Sequence, residues 1–295
     1  MKFNDLIKTT PNSAYLYNLD LTLNEQTLKK FHGIKYIIMQ GSSVRSFVLA
    51  QKLAQLFLNI NTNFFTPTTL FKTQTFVAYR VDDILCVSHG MGNTSITTLL
   101  HNLTKVLYFS GNTSIEYIRV GTSGGIDIEP GSVVLTQTAY MPNLVAGYKV
   151  SVIGKDIIYP THMSQELNQK ILESQPHNLD FKILLGNTIT ADDFYLGQAR
   201  FDGAIKPKYD INLRNSYFSK VKELGILNFE MEATGLASFC NRAEIPATMI
   251  AVVLINRMLH DQITIPTDTL AQYSENASFV VTNYLTAIKN ANRHS

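Results

Sequence analysis

The chain has few residues of the kinds that crosslink a fold or bind a soft metal. Its 295 residues include two cysteines and no tryptophan. Two cysteines exclude a disulfide framework and argue against a thiolate metal cage. Cys86 lies in an apolar run and Cys240 ends a helical stretch, so we predict two buried, reduced thiols.

Net charge is also nearly absent. Lys and Arg number 25, and Asp and Glu number 23, which gives a formal charge of +2. This balance supplies no general attraction to nucleic acid or anionic lipid. Residues 1–5 contain no apolar signal core, and no run approaches the length that spans a membrane. We therefore expect a cytoplasmic protein with no nucleic-acid or membrane partner.

Short apolar segments alternate with helical patterns along the chain. The predicted buried strands are 35–39, 83–88, 116–120, 132–137, 224–229 and 247–255. Apolar residues recur at helical spacing from Ser95 onward and again near the end, where Ser274 is the predicted N-cap. Residues 59–72 are the least periodic and predict a surface loop. The alternation predicts a single three-layer α/β domain with its ligand at the carboxyl ends of the strands.

Two glycine-containing turns each join a predicted strand to a helix. In residues 40–45, exposed backbone N–H groups and the Arg45 guanidinium can hold an anion. Taken alone, that segment is more typical of an ordinary strand-to-helix turn. Residues 88–95 lack the end of a Walker loop and the third glycine of a dinucleotide fingerprint. Their close glycines indicate an approaching ligand or helix, and His89 alone is more typical of a packed polar residue than of a base.

An arginine stands inside the otherwise apolar segment 116–120, where a buried guanidinium is costly unless its charge is matched. Arg119 is followed closely by Thr122 and by glycines, so both side chains can face one cavity. Phosphate satisfies a guanidinium and a hydroxyl together, which favours an anion site. The alternative is a pair between Arg119 and a buried carboxylate, Glu230 or Glu232.

Two polar side chains, Gln198 and Arg200, can project from one side of an extended segment. An amide and a guanidinium complement a ring that carries O=C–NH–C=O, and the arginine can stabilise negative charge on a departing ring. Phe194 can pack on the face of such a ring.

Carboxylates also follow a predicted strand, in Glu230-Met231-Glu232. Two carboxylates at that place suit the paired hydroxyl groups of a ribose. The alternative is a salt-bridged strand end whose first-turn glutamate interacts favourably with the helix dipole.

In this order and spacing, the segments resemble the uridine phosphorylases of the nucleoside phosphorylase family, most closely the animal type, over most of the chain. The segments that carry the resemblance are 89–92, 118–125, 129–131, 193–200, 230–232 and 255–257. The resemblance implies a nucleoside phosphorylase domain at 31–295, with a central mixed sheet flanked by helices and residues 1–30 packed on the domain or on a partner subunit. It also implies phosphorolysis of uridine to uracil and ribose 1-phosphate, with phosphate as co-substrate and no metal or organic cofactor.

The resemblance assigns roles to individual residues. Phosphate would be bound by Gly41, Arg45, Arg119 and Thr122; uracil by Gln198, Arg200, Phe194, Ser123, Gly124, Leu254 and Ile255; and ribose by Met231, Glu232 and Glu230. A homodimer with shared active sites is implied as well.

The chain departs from the family pattern at positions that the resemblance assigns to the partner subunit. Thr75 stands where an arginine is expected to reach phosphate, and Asn18 where a histidine is expected to reach the ribose 5′-hydroxyl. One lost charge-assisted contact costs about 1.5–3 kcal/mol, enough to weaken phosphate use by about ten- to a hundredfold or more. The alternative hypothesis is therefore a catalytically impaired or repurposed nucleoside-binding homologue. A nucleotide-binding oxidoreductase is disfavoured because no acidic ribose ligand follows the turns at the expected distance.

Overall fold

The computed structural model describes residues 14–58 and 66–293, together with residues 1, 2, 4, 7 and 60. The described residues form two units, residues 1–119 with 239–247 and residues 120–238 with 248–295. Parts of the predicted N-terminal segment 1–30 and of the predicted loop 59–72 lie outside the described residues. The boundaries 1–30 and 31–295 therefore stay predictions.

The first unit begins with a small hairpin and continues with a larger sheet and three helices. Its strands are β1 (Tyr15–Leu16), β2 (Leu21–Thr22), β3 (Tyr36–Gln40), β4 (Thr68–Lys72), β5 (Val77–Val81), β6 (Ile84–Ser88) and β7 (Glu116–Gly125), the last belonging to this unit as far as Arg119. Its helices are α1 (Glu25–Phe31), α2 (Ser43–Leu58) and α3 (Asn93–Phe109).

Parallel pairing in this unit brings three strand ends to one edge. The strand order is β7–β3–β6–β5–β4, and β3 runs parallel to both β6 and β7. The strands β3 and β6 are apolar and almost wholly buried, as expected for parallel strands covered on both faces. Helix α2 packs on β3, β5 and β6. The turns that follow β3 and β6 therefore leave from the same edge of the sheet.

The second unit contains the rest of β7 and the remaining strands and helices. The strands are β8 (Val133–Tyr140), β9 (Tyr148–Val152), β10 (Lys155–Tyr159), β11 (Ile183–Thr190), β12 (Ile226–Glu230) and β13 (Ala247–Asn256). The helices are α4 (Gln165–Glu173), α5 (Ile211–Glu223), α6 (Ala233–Ala243), whose last turns belong to the first unit, and α7 (Thr267–Arg293).

The sheet of the second unit is mixed and returns on itself. Its strand order is β12–β11–β8–β13–β7, and β12 also pairs with β7, with Asn228 opposite Gly125. The strand β11 is parallel to β8 and β12, whereas β13 is antiparallel to β8. Helix α4 packs on β8 and helix α5 on β12.

The predicted mixed α/β fold, with sheet flanked by helices, is confirmed, and the six predicted strands correspond to β3, β6, β7, β8, β12 and β13. The loop prediction is wrong at residues 68–72, which form β4; its exposed threonines hide the apolar pattern of an outer strand. The predicted cap is also wrong, because α7 begins at Thr267 and the Ser274 hydroxyl donates to Leu270 O at 2.9 Å inside the helix. Among the residues that the structure describes, no helix is both long and apolar enough to cross a membrane.

Candidate active site

Five residues of the first unit lie where β3 and β6 end and on β7 beside them: Gly41, Arg45, His89, Gly90 and Arg119. We call them the oxyanion cradle. The Gly41 turn joins β3 to α2, and the main-chain N–H of His89 continues the β3–β6 ladder by donating to Gln40 O at 2.8 Å. Arg119 pairs in register with Met39 on β3. The fold thus assembles three of the predicted phosphate residues, Gly41, Arg45 and Arg119, in one unit.

Gly41 lies close to three other residues of the cradle. A Cβ atom added at Gly41 would lie 3.1 Å from the Gly90 carbonyl oxygen, 3.6 Å from Arg45 Nη2 and 3.8 Å from His89 Cε1. Any side chain at this position would crowd a main-chain oxygen that cannot move freely. The absence of a side chain leaves the turn open to a small anion beside a guanidinium.

The cradle keeps its histidine uncharged. His89 is wholly buried, and its pKa lies well below 6.5, chiefly because burial disfavours the imidazolium. The positive charges of Arg119 and Arg45 lower the pKa further, and the nearby main chain of His89 and Gly90 opposes the shift only in part. At neutral pH the cradle therefore holds two guanidiniums and a neutral imidazole.

Both altered positions lie in the first unit. Thr75 is exposed in the turn between β4 and β5, where the main-chain N–H of Phe76 donates to Thr73 Oγ1 at 2.9 Å. Its methyl carbon lies 3.2 Å from the point where a Cβ on Gly90 would stand. Thr75 thus borders the cradle of its own chain. Asn18 is exposed in the short 3-10 helix Tyr17–Leu19, between β1 and β2.

In the second unit, Arg257 fixes the amide of Gln198. Arg257 is fully buried, and its Nη1 and Nη2 donate to Gln198 Oε1 at 3.2 Å and to Gln198 O at 2.8 Å. A guanidinium has no acceptor, so the oxygen of the amide must face it and the Nε2 group must face away. Gln198 therefore presents two N–H donors, and its oxygen keeps a second lone pair.

Arg257 belongs to an ionic cluster that we call the arginine cluster: Arg200, Arg214 and Arg257 with Asp202 and Asp261. Asp261 Oδ1 lies 2.9 Å from Arg257 Nη2 and 3.1 Å from Arg214 Nη2. Burial lowers the pKa of Arg257 to about 10, against the opposing effect of Asp261, so it remains charged at neutral pH. Three guanidiniums face two carboxylates, and the cluster carries one excess positive charge.

Arg200 is held in place on several sides. Its Nε and Nη2 donate to the two carboxylate oxygens of Asp202 at 2.8 and 2.6 Å, and Nη2 also donates to Asp261 O at 2.6 Å. Its guanidinium carbon lies 4.4 Å from the centre of the Phe194 ring. Phe194 therefore stacks on Arg200, and none of these hydrogen bonds uses the Nη1 group of Arg200.

Ala199, between these two side chains, adopts a left-handed conformation (φ 54°) at the end of the 3-10 helix Leu196–Gln198. A left-handed alanine costs about 1–2 kcal/mol, so the surrounding contacts must enforce this conformation. One such contact is the hydrogen bond from Tyr209 Oη to Arg200 O at 2.6 Å. This turn sets the directions of the Gln198 and Arg200 side chains. The prediction that both project from an extended segment is therefore wrong.

The β7 and β13 residues predicted to bind uracil lie in the second unit. Ser123 Oγ donates to Val252 O at 3.1 Å and accepts from Asn228 Nδ2 at 2.9 Å, so it can only accept from a ligand. A Cβ on Gly124 would lie 2.9 Å from Arg257 Cγ, which requires glycine there. Ile255 is buried and Leu254 is half-buried. Thr122, which the resemblance assigns to phosphate, also belongs to this unit and is half-buried.

The carboxylate of Glu230 is used by the fold. It accepts from the main-chain N–H groups of Glu232 at 2.7 Å and Ala233 at 3.0 Å and from Thr190 Oγ1 at 2.6 Å. Glu230 thus caps the start of α6, which favours the structural alternative for this residue. Glu232 is buried and Met231 is half-buried, and their ribose roles stay predictions.

Sequence reasoning missed the groups that orient the predicted ligands. Asp202, Arg214 and Asp261 were not singled out, and Arg257 was noted only within a motif. No local pattern reveals Arg214, which reaches Asp261 from another element of the second unit. Asp202 and Asp261 do lie close in sequence to Arg200 and Arg257, and that spacing of opposite charges is the signal that could have found them. His89 was noticed, but its burial between two arginines was not.

Comparison with known proteins identifies the family of this chain. The family model described as "Phosphorylase superfamily" matches residues 32–286. The chain belongs to the phosphorylase superfamily. Within this superfamily, uridine phosphorylase 1 of Mus musculus is 32% identical over 271 residues, which cover 92% of this chain and 87% of that protein.

Two further members bear on structure and activity. A solved structure from a study of two uridine phosphorylases in the oomycete Phytophthora capsici is 31% identical, with a TM-score of 0.91 and coverage of 98% of this chain and 97% of that chain. Inactive uridine phosphorylase B of Schistosoma mansoni is 31% identical over 261 residues, covering 87% of this chain and 86% of that protein. The chain is thus about 30% identical both to a relative named as a uridine phosphorylase and to one named as inactive. Overall identity does not separate the two.

Across the described part of the chain, no group of three or more His, Cys, Asp or Glu side chains is arranged to hold a metal ion. Both cysteines are buried and unpaired by disulfide, and burial raises the pKa of each thiol. The prediction of a reaction without metal or organic cofactor stays a prediction.

Proposed function

We propose that this protein catalyses the phosphorolysis of uridine, in which inorganic phosphate displaces uracil from C1′ of the ribose and forms ribose 1-phosphate. Its superfamily and its uridine phosphorylase relatives support this reaction. The observation that carries the proposal is the fixed amide of Gln198. With its oxygen held by Arg257, the amide offers N–H donors to a ring carbonyl and a lone pair to a ring N–H.

Phosphate is bound by the oxyanion cradle in this proposal, and Thr122 keeps the phosphate role that the resemblance implies. The guanidiniums of Arg45 and Arg119 supply charge-assisted donors, and the open Gly41 turn admits the anion to the start of α2. Catalysis by such a site is mainly positioning, because a phosphate oxygen must be aimed at C1′ while the glycosidic bond opens.

The leaving base takes both electrons of the bond between C1′ and N1, and negative charge spreads over its carbonyl oxygens. The excess positive charge of the arginine cluster and the Nη1 group of Arg200 stabilise that charge. The carbocation-like sugar is then captured by a phosphate oxygen. We assign the ribose hydroxyls to Glu232 and Met231, and Glu230 supports them by capping α6.

We further propose a cytoplasmic homodimer. Several apolar side chains of the first unit are exposed, among them Tyr17 (81%), Val44 (68%) and Met91 (72%). Val44 and Met91 stand beside the cradle turns in sequence, and apolar side chains exposed there and at Tyr17 suit burial against a second copy. Light scattering coupled to gel filtration measures the assembly, and a monomer at micromolar concentration would contradict the proposal.

Uracil release from uridine, measured with and without phosphate, tests the reaction. We expect turnover that requires phosphate and yields ribose 1-phosphate in equal amount. Arg200→Ala should abolish uracil binding, whereas Arg242→Ala, on the exposed side of α6, should not. Absence of turnover at high phosphate in the folded protein would contradict the proposal.

A nucleoside-binding protein without catalysis is the second candidate, and Thr75 favours it, since the expected arginine is missing beside the cradle. In that case uridine would raise the melting temperature, phosphate would not, and no uracil would form. Phosphate-dependent turnover rejects this candidate.

A further inference from the structure

The ring of His89 is the least explained polar group in the cradle. The residue is wholly buried, and its main chain is fixed by the bond to Gln40 O and by Ser95 Oγ, which donates to His89 O at 2.5 Å. Neither ring nitrogen has a hydrogen-bond partner among the described residues. Buried polar groups are almost always satisfied, so an imidazole with two unused nitrogens points to a ligand that supplies the partner.

Strand register places this ring on the same side as Arg119. Met39 pairs with Arg119 and Gln40 pairs with Ser88, and successive side chains alternate between the faces of a sheet. His89 follows Ser88 and therefore continues on the Met39 and Arg119 face. Its Cε1 atom also borders the Gly41 position beside Arg45, as described above. The ring is thus directed into the cradle.

A neutral imidazole differs chemically from its neighbours. One of its nitrogens donates a hydrogen bond and the other accepts one, whereas guanidiniums only donate. Monohydrogen phosphate carries a P–OH group whose hydrogen needs an acceptor, and fully ionised sulfate carries none. The carbonyl of Gly90 is a further acceptor near Gly41, and substitutions at residue 89 leave it in place.

We propose that His89 is a specificity-determining residue that accepts the hydrogen of the P–OH group on its unprotonated ring nitrogen, which selects phosphate over sulfate. This inference rests on the proposed function, because it takes phosphate as the ligand of the cradle. Arsenate also carries an O–H group at neutral pH and should be accepted as phosphate is.

Two substitutions at residue 89 separate acceptor chemistry from packing. His89→Phe keeps a ring and removes both nitrogens, whereas His89→Gln keeps an amide oxygen that can accept. The phosphate KM and the inhibition constant of sulfate are measured for each, with the uridine KM as a further readout. His101→Phe is the matched control, because His101 is another partly buried histidine of the first unit, packed edge-on against Phe239.

We expect His89→Phe to raise the phosphate KM about tenfold or more, as loss of one hydrogen bond to a charged group predicts. The sulfate constant should change less than about twofold on the same reasoning, because sulfate offers no hydrogen to this acceptor. His89→Gln should recover part of the phosphate affinity, and His101→Phe should change neither constant. The uridine KM should stay within the error of the wild type.

Equal losses for phosphate and sulfate, or no loss for either, would overturn the proposal. If His89→Phe does not fold, His89→Gln is compared with His89→Leu instead. The ratio of the phosphate KM to the sulfate inhibition constant then provides the same test. If the wild type shows no turnover, the proposed function fails, and calorimetric titration with phosphate and with sulfate still decides the role of His89. If the wild type then binds phosphate more tightly than sulfate and His89→Phe does not, the role of His89 is supported even without catalysis.

Discussion

Replacing Arg257 should weaken the distinction between uracil and cytosine. The guanidinium is the group that forces the oxygen of the Gln198 amide inward. Uracil presents a carbonyl at the ring position where cytosine presents an amino group. We propose that the fixed amide binds the edge of uracil formed by N3–H and the C4 carbonyl, so its N–H donor faces that carbonyl and would meet the amino group of cytosine donor to donor. In Arg257→Met the amide can rotate, and cytosine becomes acceptable.

General hydrogen-bond and ion-pair energies set the size of both expected effects. A mismatched donor pair costs about 1–3 kcal/mol, so free rotation should reduce the uracil-to-cytosine affinity ratio by about ten- to a hundredfold. Removing one partner of a buried ion pair costs about 3–5 kcal/mol of unfolding free energy. We expect a loss of about 3 kcal/mol, since Arg214 keeps its own contacts with Asp261 at 3.1 and 3.2 Å.

Inhibition of uridine cleavage by uracil and by cytosine gives the two affinities, and thermal melting gives the stability. Arg257→Lys is the second variant, since it keeps the charge and the stem that packs on Gly124 but loses the fork that binds both Gln198 oxygens. Arg242→Met, at an exposed arginine, is the control. An unchanged uracil-to-cytosine ratio in a folded Arg257→Met protein would refute the reasoning.

Three further predictions follow from the site. Thr75→Arg should lower the phosphate KM about tenfold by adding one charge-assisted contact beside Gly90, whereas Thr75→Met should not; equal constants in both variants would mean that another group already serves there. Glu230→Gln should lower the unfolding free energy by about 1 kcal/mol through a weaker cap on α6, with little change in uridine KM; a large rise in KM at unchanged stability would instead support direct ribose binding. Hydrogen bonds from Arg200 lower the pKa of Asp202 below its ordinary 3.8, so this pair stabilises the fold above about pH 4, and the stabilisation is lost as pH falls through the depressed pKa. The melting temperatures of wild type and Asp202→Asn should therefore converge in acid. A constant difference between them would contradict the assignment.

Local patterns were sufficient for the strands with continuous apolar sequence. In β3 and β6 almost every residue is buried, so a strand covered on both faces is readable from composition. The outer strand β4 and the hairpin β9–β10 expose much of their length, and their sequences resemble loops. Ser274 shows the converse limit, because this good capping residue lies inside a helix that starts about two turns earlier, at Thr267.

The sequence by itself determined which chemical groups are present: the arginine in an apolar strand, the glycine turns, and the amide two residues from a guanidinium. It also indicated the family, through the order of those segments. Only the tertiary structure decided how each group is oriented. Arg257 turns the amide of Gln198, Asp202 holds Arg200, and burial beside Arg45 and Arg119 leaves His89 neutral. The contacts of Arg257 with Gln198, and of His89 with its buried surroundings, join residues far apart in the chain, so no local pattern records them. Asp202 is only two residues from Arg200, but the folded turn decides that the two side chains meet.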